Sequence, residues 1–255
     1  MEEVDSYKIA FIISHRYYRN YKSYIQYYVN NIQRCYSNSF IIIVDNNSTY
    51  INDIKLQLEN YKNLVILSNN TECKFEIGAY KVGINYLIDN NLIEQYDFYT
   101  FTQDNFILKN KYDFNNLYIN NITACTVNSW TRAPMCSFFQ RNETKYILHK
   151  LNLENSIDKL SLCWCNTFIL HKSKIIDFLN ITKEIIITKR VESECSERYL
   201  SGILYRLNND KIYDIDGDID KLNYDYWKVD SINDTVNHYF VKKIQGKTEN
   251  TKDEF

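Results

Sequence analysis

A buried strand that ends in a polar turn decides the fold of this chain: residues 96–110 read YDFYTFTQDNFILKN. The aromatic residues of the first half predict a strand whose two faces are both covered. The next four residues, TQDN at 102–105, are all polar and include one carboxylate, Asp104. A core strand that finishes in this way raises the question of what the acid faces.

Other apolar segments repeat this pattern along the first half of the chain. None of these strands alternates between apolar and polar residues, and a helical pattern follows each one. This order predicts an α/β fold, with a mixed, mainly parallel sheet flanked by helices, in a Rossmann-like arrangement. The predicted strands are 8–16, 39–48 and 63–70, and the predicted helices are 18–36, 51–61 and 76–91.

Three strand ends carry side chains suited to a ligand. In parallel sheets ligands bind at the carboxyl ends of the strands. His15, Asp45 and Asp104 each lie at such an end, so we expect all three on one rim. The polar turn at 102–105 is therefore predicted to face a ligand crevice.

The second half of the chain has a less regular pattern. Strands are predicted at 120–132 and 160–175, and a helix at 192–209. With no linker or repeat in view, we expect one domain. We expect this domain to have a first half at about 8–110, a second half at about 111–247, and a flexible tail at 248–255.

The composition excludes several classes of function. The 255 residues carry a net charge of −2, which argues against a nucleic-acid polymer as partner. An odd number of cysteines, seven, favours reduced thiols, and Cys163 and Cys165 are expected on opposite faces of one strand without a zinc site. No apolar run is long enough to span a membrane and the start, MEEVDSYK, has no signal-peptide shape, so we expect a cytoplasmic protein.

The order of these pieces resembles the glycosyltransferases of the GT-A fold, nearest to family-2-like members. The resemblance covers the first half well and the second half by pattern only. It implies that the half at about 8–110 binds the nucleotide sugar and that the half at about 111–247 binds the acceptor. It implies transfer of a hexose-type sugar from a nucleotide-sugar donor, with UDP as the expected nucleotide, to a glycan hydroxyl with inversion. The matching pieces are IAFIISHR (9–16), IIIVDNNS (41–48), FEIGAYKVGINYLI (75–88) and FYTFTQDNFIL (98–108).

The resemblance implies a nucleotide site along the predicted rim. Asp45 is expected to contact the base or the ribose, although an Asp in this position also caps turns. Gly78 is expected to let the backbone of a helix N-terminus approach the diphosphate, while Glu76 nearby either meets a ribose hydroxyl or complements the helix dipole. The full predicted set is His15, Arg16, Asp45, Asn47, Glu76, Gly78, Gln103 and Asp104.

The resemblance also implies a metal site at TQDN, where the family keeps an Asp-x-Asp motif. Here Gln103 and Asn105 replace the flanking carboxylates, so Asp104 alone would anchor Mn²⁺ or Mg²⁺ beside the diphosphate. His238 is a candidate third ligand, or an ordinary surface or core histidine. The nearby lysines could cover the diphosphate or form a solvated tail; they are Lys242, Lys243 and Lys247.

The family's general base is a carboxylate at the start of a helix in the acceptor half. Glu197 in SERYL is the candidate, with Glu194 behind it, and the alternative is an acidic first turn that complements the helix dipole. Aromatic and basic residues that could stack acceptor sugars, or lie in the core, are Trp130, Arg132 and Trp164.

Two rival functions remain open. A nucleotide- or sugar-binding module without turnover would explain the missing carboxylates of TQDN. A nucleotidyltransferase shares the parallel sheet, but it would need a glycine-rich loop after the first strand, and SHRYYRN (14–20) has no glycine.

Overall fold

A computed structural model describes residues 7–16, 25–49, 51–104, 106–130, 142–153, 160–218 and 240–242. The strands are β1 Ile9–His15, β2 Phe40–Asp45, β3 Leu64–Ser68, β4 Phe98–Gln103, β5 Phe106–Leu108, β6 Ala124–Trp130, β7 Leu162–Cys163, β8 Phe168–His171, β9 Asp214–Asp218 and β10 Phe240–Lys242. The helices are α1 Ile25–Cys35, α2 Ile51–Leu58, α3 Phe75–Asp89, α4 Asn115–Ile119, α5 Asn142–Lys150, α6 Ile175–Thr182 and α7 Arg190–Leu207.

The main sheet is mixed and mainly parallel, as the sequence predicts. Its strand order is β3-β2-β1-β4-β8-β6-β7, with β9 also paired to β6. Strands β1 to β4 run parallel, β8 and β7 run antiparallel to their neighbours, and β9 is parallel to β6. The first half therefore has the Rossmann-like order of strand and helix, and an antiparallel extension follows it. Strands β5 and β10 form a separate antiparallel pair.

The central strand β1 is buried along its whole length because helices cover both faces of the sheet. Ala10 and Ile12 lie in the hydrophobic cluster that includes α3, α5, α6 and α7. Phe11 and Ile13 lie in the opposite cluster, which includes α1, α2 and α4. Adjacent residues of β1 therefore pack into two different hydrophobic clusters, which explains why the strand is apolar without alternation.

One predicted strand is broken in the structure. The segment 160–175 forms β7, a 3₁₀ turn at Trp164–Asn166, and then β8. Cys165 and Asn166 have φ angles of 56° and 51°, which are left-handed values that no strand continues through. The prediction that Cys163 and Cys165 share a strand is therefore wrong. The apolar run concealed the turn because its residues are buried like those of the strands around it.

No helix in the described part of the chain is long and apolar enough to cross a membrane. The six cysteines within the described ranges are free thiols, and five of them are buried.

Candidate functional site

The structure brings His15, Asp45 and Asp104 together at one rim of the sheet. His15 and Asp45 are register partners at the carboxyl ends of β1 and β2. The Nδ1 atom of His15 lies 2.7 Å from Oδ2 of Asp104, which follows β4. The predicted gathering of these side chains is confirmed, while the ligand that they bind stays a prediction.

Asp104 belongs to a closed hydrogen-bond arrangement between β1 and the end of β4. Its Oδ2 accepts hydrogen bonds from His15 Nδ1 and, at 3.2 Å, from the backbone N–H of Arg16. Its own N–H donates to the carbonyl of Ser14 at 3.0 Å. The His15 side chain is only 1% exposed and that of Asp104 is 15% exposed. The sequence placed both residues at the rim but gave no sign that they pair.

Asp45 and Asn47 form a tight turn after β2. Oδ2 of Asp45 accepts the N–H of Ser48 at 2.9 Å, and Oδ1 accepts the Ser48 hydroxyl. Asn47 is exposed and takes a left-handed φ of 65°, which asparagine tolerates well. These are the contacts of an aspartate that caps a turn, the alternative role that the sequence analysis gave for Asp45. A nucleotide contact would use the remaining lone pairs of the carboxylate.

A chain of buried amides beneath this turn links three strand ends, and the sequence reasoning missed it. Asn46 donates to the hydroxyl of Ser14 at 3.0 Å, and Asn69 donates to Oδ1 of Asn46 at 2.8 Å. Asn69 also donates to the carbonyl of Cys73 at 2.9 Å, just before α3. The available signal was an asparagine directly after each of two apolar strands. The network fixes the rim before any ligand arrives.

Gly78 has a packing role that the sequence did not indicate, while its contact with a phosphate stays a prediction. A Cβ at this position would lie 1.9 Å from the carbonyl oxygen of Cys73, so the missing side chain is required by helix-to-loop packing. The N–H of Gly78 already donates to the carbonyl of Lys74 at 3.3 Å. Glu76 is likewise tied to protein, because its Oε2 accepts the hydroxyl of Ser193 on α7. The start of α3 is therefore held against α7.

The left-handed turn at Trp164–Asn166 joins the two halves of the chain. Gln103 Nε2 donates to the carbonyl of Cys165 at 2.8 Å, and Tyr80 on α3 donates to the carbonyl of Asn166 at 2.9 Å. The hydroxyl of Ser196 on α7 donates to Oδ1 of Asn166 at 3.0 Å. This turn therefore aligns the end of β4 with the acidic start of α7.

Trp164 lies in the core and does not stack acceptor sugars. It is 2% exposed, and its ring packs edge-on against Phe106 with a centroid distance of 5.6 Å. Trp130, by contrast, is half-buried at the end of β6. Of the predicted acceptor platform, Trp130 alone stays a candidate within the described ranges.

The acids of α7 have three different surroundings. Glu192 caps the helix: burial disfavours its charged form, but the N–H groups of Thr188 and Lys189 hold its pKa below the ordinary value. Glu194 pairs with Arg190 at 3.3 Å, one turn earlier.

Glu197 is half-buried on α7, one helical turn after Ser193. Burial raises the pKa of the Cys163 thiol, and the charge of Glu197 raises it further. Burial lowers the pKa of Arg198 to about 10, although the negative charge of Glu197 acts to raise it. These effects place the Glu197 carboxylate near both groups.

The described residues do not fit a resident divalent cation. Within these ranges no group of three or more His, Cys, Asp or Glu side chains could hold a metal ion. Asp104 supplies a single carboxylate, whose Oδ2 already accepts two N–H donors. The Gln103 amide is turned to the carbonyl of Cys165.

Several predicted site residues lie outside the described ranges, and Lys242 is described by its backbone alone. Those outside are Asn105, Arg132, His238, Lys243 and Lys247.

No family model and no curated protein sequence matches the chain. Three similar solved structures have low identities and TM-scores below one half. 4-Diphosphocytidyl-2C-methyl-D-erythritol synthase from Anaerococcus prevotii is 11% identical, with a TM-score of 0.47 over 86% of this chain and 90% of that one. The glycosyltransferase GlyE of Streptococcus pneumoniae is 12% identical, with a TM-score of 0.40 over 86% and 47%. The mannosyltransferase Ktr4p from S. cerevisiae, in complex with GDP, is 14% identical, with a TM-score of 0.38 over 77% and 62%. At these values the likenesses add no argument about function.

Proposed function

We propose that this protein transfers a sugar from a nucleotide-sugar donor, with UDP as the nucleotide, to a hydroxyl of a glycan with inversion. One observation carries the proposal: polar side chains from the ends of β1, β2 and β4 converge on one rim, and a half-buried acid of α7 lies beside the turn that closes it. Such a rim is the ligand position of parallel α/β sheets.

The proposed chemistry needs one proton acceptor from the protein. The carboxylate of Glu197 takes the proton of the acceptor hydroxyl as its oxygen forms a bond to the anomeric carbon. The bond from that carbon to the diphosphate breaks, and the nucleoside diphosphate leaves with the electron pair. Glu197 suits this role better than Glu194, because Glu194 is engaged with Arg190 on the helix surface.

The test compares Glu197→Gln with Glu194→Gln, a matched loss of one carboxylate on the same helix. Release of free nucleotide from UDP-glucose, UDP-galactose, UDP-N-acetylglucosamine or a GDP-sugar is measured with and without a mixture of glycan acceptors. Glu197→Gln is expected to lower acceptor-dependent turnover by about 10²-fold or more, and Glu194→Gln to leave it within about two-fold. Equal turnover in the two variants would remove Glu197 from the role of base.

A non-catalytic binding module is the second candidate. The observation that favours it concerns Asp104, which lies where the resembled family has its metal motif. Its carboxylate already accepts two hydrogen bonds from the protein. The same assay separates the two functions. A binding module holds the donor without releasing nucleotide, whereas a transferase releases some nucleotide even when water is the acceptor.

A further inference from the structure

The buried imidazole of His15 has one ring nitrogen paired and the other without a partner among the described residues. Nδ1 contacts Asp104, whereas Nε2 is buried and has no hydrogen-bond partner within the described part of the chain. Leaving a buried polar atom without a hydrogen-bond partner destabilises a protein. The position of Nε2 at a strand end, where sheets of this kind bind ligands, points to a bound ligand as the partner.

Asp104 fixes which atom of the ring is offered to that partner. A carboxylate oxygen accepts hydrogen bonds, so the pairing assigns a ring proton to Nδ1, which donates to Oδ2. In the tautomer protonated at Nδ1 alone, the ring presents the lone pair of Nε2. Because the ring is 1% exposed and Asp104 also accepts the N–H of Arg16, the ring orientation is held by both burial and hydrogen bonding.

The same contacts disfavour a cation at Asp104. Two N–H groups point their positive ends at Oδ2, and a cation bound to that oxygen would face both of them. Hard divalent cations take about six or more oxygen ligands, and within the described ranges no group of three or more His, Cys, Asp or Glu side chains could hold one.

We infer that Asp104 is a positioning residue for His15, that Nε2 of His15 accepts a hydrogen bond from the nucleoside part of the ligand, and that the nucleotide binds without a divalent cation. This inference rests on the proposed function, since it takes a nucleotide sugar as the ligand. The hydrogen-bond donor on the nucleoside is either a base N–H or a ribose hydroxyl.

The experiment is a calorimetric titration of UDP into the full chain, once with excess Mn²⁺ and once with EDTA; GDP and CMP are used in the same way. His15→Asn keeps a donor toward Asp104 but removes Nε2, and His15→Gln offers an amide oxygen near the Nε2 position. Asp104→Asn preserves the shape of the acid and removes its charge. His171→Asn is the matched control, because His171 lies at the opposite end of the sheet, paired with the first residue of β4.

The inference predicts equal affinity, within about two-fold, in Mn²⁺ and in EDTA. His15→Asn is expected to weaken binding about ten-fold or more under both conditions, as befits the loss of one hydrogen bond to a buried partner. His15→Gln should recover part of this loss, Asp104→Asn should weaken binding equally with and without Mn²⁺, and His171→Asn should bind like the wild type. Melting temperatures of all variants establish that they are folded.

Binding that collapses in EDTA and is restored by Mn²⁺ would overturn the inference while leaving the proposed function in place. Wild-type affinity in both His15 variants would also overturn it, and would reduce the unpaired Nε2 to a site for a structural water. If no nucleotide binds the wild type under either condition, the proposed function fails and the inference fails with it.

Analogues identify the contacted atom. 3-Methyl-UDP lacks the base N–H, and the 2′-deoxy and 3′-deoxy forms each lack one ribose hydroxyl. The contact is supported if one analogue alone binds the wild type more weakly than UDP does, while His15→Asn binds that analogue and UDP equally well. The group that this analogue lacks is then the donor to Nε2. Full affinity for all three analogues would contradict the role of Nε2 as an acceptor.

Discussion

Replacing Gly78 by alanine tests whether this glycine serves packing or ligand approach. The new Cβ would lie 1.9 Å from the Cys73 carbonyl oxygen and 2.8 Å from Nδ2 of Asn69. Either the helix or the loop must move by about 1 Å to reach an allowed distance. Overpacking of this kind costs about 1–3 kcal/mol, and the hydrogen bond from Asn69 to Cys73 adds about 1 kcal/mol.

Alanine's higher helix propensity returns about 1 kcal/mol, so the expected net loss is about 1–3 kcal/mol. For a chain of this size the melting temperature should fall by about 2–12 °C. Gly83→Ala is the matched control on the same helix, because its Cβ would meet the Ile12 side chain at 2.6 Å, which can adjust more easily than a backbone carbonyl. Thermal unfolding followed by circular dichroism measures both variants. A Gly78→Ala protein as stable as the wild type, but defective in UDP binding, would refute the packing account.

Three further changes test the scaffold of the rim. Asn69→Ala removes the buried link to Asn46 and Cys73 and should cost about 2–4 kcal/mol in urea unfolding; a cost below about 1 kcal/mol would contradict the network. Tyr80→Phe leaves the Asn166 carbonyl without its donor and should cost about 1–2 kcal/mol by the same measurement, with an unchanged midpoint arguing against that contact. Glu192→Gln should lower the melting temperature near neutral pH. Because the folded pKa of Glu192 is depressed, the difference from wild type should vanish as pH falls below the ordinary range of glutamate, and a pH-independent difference would contradict it.

The sheet was predictable from sequence because strands that are buried on both faces consist of uninterrupted apolar residues. β1, β2 and β4 consist almost entirely of buried side chains, and the helices between them carry apolar residues at helical spacing. The meeting of His15, Asp45 and Asp104 followed from the rule that parallel strands end at one edge. The left-handed turn at 164–166 had no recognisable sequence signal, since Cys165 and Asn166 are buried and the turn lacks the usual glycine.

The pairing within the rim could not be predicted, because it depends on side-chain directions that strand order alone does not fix. Nothing local in the sequence indicates that His15 turns to Asp104, 89 positions away, or that Glu76 receives the hydroxyl of Ser193. Gly78 shows the same limit: a glycine in the first turn of a helix suits a phosphate and suits a close loop, and only the position of the Cys73 carbonyl reveals the packing requirement.

The central claim is that the rim formed by β1, β2 and β4 binds a nucleoside diphosphate. Calorimetric titration of the wild-type chain with UDP, GDP and CMP tests it most directly, with a sugar phosphate lacking a nucleoside as the control ligand. The account predicts saturable one-to-one binding of at least one nucleotide, UDP before the others, and no binding of the control. Absence of binding for all three nucleotides, in Mn²⁺ and in EDTA alike, would contradict it.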